Sequence, residues 1–124
     1  MPYKDLKDVR ETYVTLRDLV IQNPGGWDDV ASRSKVERMC QSATAALEDN
    51  ECRDRLRSVA EQAAALYSRT GHLKFARTKM SGADYLRLQI LIALEAVNTR
   101  IFFLETARDR IRMESAEAQG NLAD

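Results

Sequence analysis

The sequence predicts an all-α fold, an antiparallel four-helix bundle with an over-long C-terminal helix. Three observations carry that reading. Only 5 Gly and 2 Pro interrupt 124 residues, and the chain is dominated by Ala, Leu, Arg and Glu, which are strong helix formers. Apolar side chains recur at spacings of three and four and never form the alternating runs of a strand. Stop signals fall at Asn23-Pro24-Gly25-Gly26, near Asp49 and at Thr70-Gly71, after which nothing halts the chain before Gly120.

The first helix is predicted from about Lys4 to Gln22. Leu6, Val9, Tyr13, Leu16 and Val20 make one apolar face, while Lys7, Arg10, Glu11, Arg17 and Asp18 make the opposite one. Trp27 to Ser32 reads as a separate turn in which Trp27 caps one end of the core. The second helix is expected from Ser34 to Glu48, opened by a Ser34/Glu37 capping box, with Val36, Cys40, Ala43 and Leu47 facing inward. The third is expected from Glu51 to Arg69, with Asn50 as its N-cap and Gly71 as a left-handed stop. Its stripe is Cys52, Leu56, Val59, Ala63 and Leu66. Ala43, Ala46, Ala60, Ala63 and Ala64 favour a tightly packed hairpin of the second and third helices.

Residues 72–80 form a connector, expected to lie extended and docked by Leu73, Phe75 and Met80. Ser81 and Asp84 then make a second capping-box pattern that starts the fourth helix. That helix runs for up to about 38 residues, roughly 55 Å, against roughly 25–30 Å for the others. From Leu86 to Val97 it is apolar nearly all round, as a buried central helix is. Within that stretch Glu95 is expected to reach Arg100 or an Arg of the third helix. Asn98 is expected to fix register.

One core suits roughly 100–150 residues, so residues 1–118 are read as a single domain and 119–124 as a frayed tail. Apolar residues are 44% and charged residues 31%, which excludes a disordered or membrane-embedded chain. Arg87, Gln89, Glu95, Asn98 and Arg100 interrupt the most apolar window, Leu86 to Leu104, so it is not a membrane span. The polar N-terminus lacks a secretory h-region, and the expected location is cytoplasmic. Cys40 and Cys52 are expected to be buried free thiols. They differ by about seven residues in height from the turn, roughly 10 Å, whereas a disulfide needs Cα atoms within about 7 Å.

Nineteen basic and 19 acidic residues give zero net charge, so no overall field draws the molecule to nucleic acid or a membrane. Charge is uneven locally. Residues 72–82 carry +3, between stretches of +1 and −2. His72, Lys74, Arg77 and Lys79 lead into a capped helix N-terminus, a weak candidate for binding an anion or nucleic acid. His72 is the sole histidine. A phosphotransfer role needs an exposed mid-helix His, whereas a C-terminal position gives His72 a structural role through the helix dipole. No Glu-x-x-His spacing, glycine-rich phosphate loop or Cys/His metal pattern occurs. No enzyme, cofactor or metal is expected.

The remaining feature is Ile101, Phe102, Phe103 and Leu104, which cover most of the helix circumference where three short helices cannot reach. Either the fourth helix kinks, with Trp27 and Tyr3 as cover, or a partner covers it. The functional expectation is a non-enzymatic interaction protein: an adaptor, chaperone-like binder or assembly factor. It acts through Ile101, Phe102, Leu104 and Ile111, by homodimerisation or by binding another protein.

Overall fold

The computed structural model describes residues 6–123, with side chains described through residue 116. Four helices follow in chain order: α1 (Leu6–Gln22), α2 (Val30–Ala46), α3 (Asn50–Leu66) and α4 (Gly82–Ala123). A 3₁₀ turn, Gly71–Phe75, lies between α3 and α4. Each of the first three helices has 17 residues, about 26 Å, whereas α4 has 42, about 63 Å, and is continuous. The bundle is all-α, and its last helix is over-long.

Among the described residues each helix packs on its two neighbours and on neither diagonal. The core contains the predicted stripes of α1, α2 and α3, together with Tyr67. Leu6, Val9, Tyr13, Leu16 and Val20 of α1 meet Leu86, Ile90, Leu94, Val97, Ile101 and Leu104 of α4 in one buried cluster with α2 and α3. Polar bonds fix the antiparallel register of α1 and α4. Arg87 donates to the Val20 and Ile21 carbonyls at 3.2 and 3.0 Å, and at the other end Arg10 pairs with Glu105. Across the bundle Arg100 holds Asp49, the N-cap of α3, at 2.8 Å.

The loop between α1 and α2 is tied to the end of α3. Gly26 N–H donates to the Leu66 carbonyl at 2.9 Å, and Asp29 N–H to the Tyr67 carbonyl at 3.1 Å. The Tyr67 hydroxyl returns a bond to the Asn23 carbonyl at 3.2 Å. Gly25 has φ +71°, and a Cβ there would lie 2.4 Å from Leu66 Cδ1, so only glycine suits the position.

Several expectations are corrected. α2 starts at Val30, because Asp29 caps it by accepting from Ser32 N–H at 3.1 Å and is itself held by Asn23 at 2.9 Å. Ser34 therefore lies inside the helix. α2 ends at Ala46, short of Glu48. Trp27 is 48% exposed and does not cap the core. Asp49, not Asn50, caps α3, because its carboxylate accepts from Cys52 N–H at 3.0 Å. α3 ends at Leu66, since Tyr67 turns away to accept and donate the loop bonds, and Gly71 is not left-handed. The hairpin of α2 and α3 buries Ala43 and Ala63, half-buries Ala46 and Ala60 and leaves Ala64 exposed, and an open groove of ≈ 490 Å³ lies beside Cys40, Ala45 and Ala60. The connector is coiled, not extended: a 3₁₀ turn is followed by a tight turn pairing Arg77 with Met80. Only Phe75 of its three apolar residues packs on the core. The readings for Lys4 and Tyr3 lie outside the described residues, and α4 continues past Gly120, its expected stop, to Ala123.

Both cysteines are buried and free, as expected. Burial pushes each thiol up to about 12, so neither is a thiolate near neutral pH.

Candidate functional site

Successive residues of a helix turn by about 100°, and this separates α4 into two apolar stripes. The inner one (Leu86, Ile90, Leu94, Val97, Ile101, Leu104) is buried in the bundle. The outer one steps by four and three through Leu88, Ile92, Glu95, Thr99, Phe102, Thr106, Asp109 and Met113, with Phe103 and Arg110 beside it. Its large apolar members are exposed: Phe102 69%, Phe103 58%, Met113 65%, and Leu88 and Ile92 about half. α4 is thus buried on one side only, and the expectation of a helix surrounded on all sides is corrected.

The predicted partner-binding residues divide accordingly. Ile101 and Leu104 belong to the chain's own core, because α1 extends far enough for Leu6 and Val9 to pack there. They are withdrawn from the candidate surface. Phe102 stays on it. Ile111 is 54% exposed. It lies one heptad beyond Leu104, on the same stripe but past the end of the bundle. Every side chain from 109 to 116 is exposed, so the distal part of α4 projects as an unsupported rod. Phe103, Leu88, Ile92 and Met113 complete the surface. Sequence reasoning merged them with the core, although the four-three spacing already distinguishes two stripes.

Polar contacts hold the two edges of this face. On the α1 edge the Tyr13 hydroxyl donates to Glu95 and accepts from Arg17 Nη1 at 3.3 Å. Burial and the Glu95 carboxylate push the Tyr13 phenol above its ordinary range. Glu95 therefore does not reach Arg100. The two lie five residues apart and leave the helix on different sides. On the α3 edge Arg100 holds Asp49 and Glu51, and its guanidinium sits 5.1 Å from the Phe103 ring centroid. The hydrogen bond from Arg100 keeps the Asp49 carboxyl below its ordinary range despite burial. Asn98 is half-buried beside this face.

The basic connector assembles differently from the face. His72 Nδ1 lies 3.2 Å from the Ser68 carbonyl near the end of α3, so it donates there as a structural group. Arg77 donates to the Phe75 and Ala76 carbonyls at 3.2 and 3.3 Å and stacks 4.2 Å over Tyr85. Lys74 and Lys79 are exposed. The N-terminus of α4 is occupied by its own chain. Ser81 Oγ accepts from Asp84 N–H at 3.1 Å, and Gly82 lies so close to the His72 carbonyl that a Cβ would overlap it at 1.7 Å. Two of the four basic residues, His72 and Arg77, are thus engaged within the chain. The groove between α2 and α3 mixes Glu37 and Glu48 with Arg53 and Arg57. Among the described residues no three His, Cys, Asp or Glu side chains gather to hold a metal, and no helix is long and apolar enough to cross a membrane.

Comparison with protein-family models, with curated proteins and with solved structures gives no match for this chain.

Proposed function

We propose that this chain is a non-catalytic interaction module, of the adaptor, chaperone-like or assembly-factor kind, and that it associates with itself through the outer face of α4. One observation carries the reading. Phe102 and Phe103 stand adjacent and exposed on the side of α4 opposite the core, in line with Ile92 and Met113. Isolated exposed apolar residues are ordinary on a protein surface, but two adjacent exposed phenylalanines with further large apolar residues on the same helix face mark an interaction site. The unsupported rod adds to this, since exposed helix gains little stability without packing.

Anion binding by Lys74, Arg77 and Lys79 has less support, because Arg77 is already committed to carbonyls and to Tyr85. A cytoplasmic setting belongs to the same proposal, and two unpaired cysteines suit a reducing compartment.

The test is Phe102→Asp. Light scattering is expected to give a mass above 14.1 kDa for the wild type at high concentration and 14.1 kDa for the variant, with equal helicity by circular dichroism. A wild type that stays at 14.1 kDa at every concentration overturns the proposal.

A further inference from the structure

The outer face of α4 is chemically palindromic about the phenylalanine pair. Moving outward from Phe102 and Phe103, each direction meets a threonine (Thr99, Thr106), then charge (Glu95 on one side, Asp109 and Arg110 on the other), then a large apolar residue (Ile92, Met113). Arg110, not Asp109, takes the mirror position of Glu95, and there the charge changes sign. A two-fold antiparallel contact suits this pattern, because it places each residue opposite its mirror position in the second copy.

We infer, building on the proposed self-association, that two copies pair antiparallel along α4, with the two-fold axis between their Phe102–Phe103 pairs. The four rings then cluster at the axis. Residue 113 falls opposite 92, residue 110 opposite 95 and residue 106 opposite 99. Ile92 packs on Met113 of the second copy, and Glu95 faces Arg110 of the second copy. A parallel pairing instead sets Glu95 against Glu95 and Arg110 against Arg110, which like-charge repulsion opposes.

The same register accounts for the length of α4. The stretch 109–116, which has no bundle of its own beneath it, falls opposite residues 96–89 of the second copy, and there α4 is backed by α1 through Tyr13–Glu95. Each projecting rod lies on the other copy's bundle. From Ile92 to Met113 the contact is about 32 Å long. A strip one helix wide then covers about 350 Å² per copy, less than half of the roughly 800 Å² of a standard interface. A contact this small is expected to hold two copies together only at concentrations of about 10 μM and above.

The test is directed disulfide formation at about 100 μM, well inside that range. Cys40 and Cys52 are buried and leave a clean background. Thr99→Cys and Thr106→Cys chains, mixed and oxidised, are expected to give a cross-linked dimer, whereas neither gives one alone. Arg110→Glu, on an exposed side chain, is expected to weaken association about five- to tenfold, the effect of reversing two exposed ion pairs. Cross-linking of the Thr99→Cys chain to itself overturns the antiparallel register and leaves self-association standing. So does absence of any cross-link in samples that light scattering shows to be dimeric. Samples that are monomeric by light scattering overturn self-association itself and the register with it.

Discussion

Ile101 and Phe102 are neighbours in sequence with opposite surroundings, and truncating each separates the core of α4 from its outer face. Ile101 is fully buried among the residues of the bundle, while Phe102 is 69% exposed. Ile101→Ala removes buried carbons and leaves a cavity, at a cost of about 2–5 kcal/mol. For a domain of this size each kcal/mol moves Tm by roughly 3–5 °C, so the loss is roughly 6–25 °C. Phe102→Ala removes surface that is mostly wet already and costs within about 0.5 kcal/mol. Urea unfolding followed at 222 nm measures both, at about 1 μM so that association adds nothing to stability. Equal losses for the two variants, or a larger loss for Phe102→Ala, refute the assignment of the two faces.

Gly25→Ala forces a left-handed alanine and sets its Cβ 2.4 Å from the Leu66 side chain. It is expected to cost at least about 2 kcal/mol in the same urea assay. Native protein at pH 8 is expected to react with Ellman's reagent at neither cysteine, because burial holds both thiols near 12. In denaturant both are expected to react. Arg100 lowers the Asp49 carboxyl in the folded state relative to its ordinary value of 3.8. The resulting stability is complete above that value and is lost as pH falls through the lowered one. Asp49→Asn is expected to cost on the order of 1 kcal/mol at pH 7 and to flatten this acid limb in pH-dependent thermal melts.

The helices were legible where burial alone decides them. Leu6, Val9, Tyr13, Leu16 and Val20 recur at helical spacing, and all five are buried. The caps were less legible because they depend on partners distant in sequence or on competition between neighbours. Ser34 with Glu37 has the form of a capping box, but Asp29, held by Asn23 and Ser32, starts α2 first. Tyr67 ends α3 because its hydroxyl and carbonyl serve the loop at Asn23–Asp29, a relation no local pattern contains. At the candidate site Phe102 was legible as an oversized exposed residue. The burial of Ile101 and Leu104 was not, since it depends on how far α1 extends along α4. That register is set by Arg10–Glu105 and by Arg87 with Val20 and Ile21. Leu88 and Ile92 read as core because a stretch apolar on both sides hides the fact that only one side is covered.

Amide hydrogen exchange across residues 109–116, at about 1 μM and at about 500 μM, tests the outer face of α4 as the site of self-association most directly. It reports which residues are covered as well as whether the chain associates. At the lower concentration these amides are expected to exchange quickly, because the rod has no packing to hold it. At the higher concentration they are expected to slow, together with those around Ile92. Exchange at the same rate at both concentrations contradicts the account.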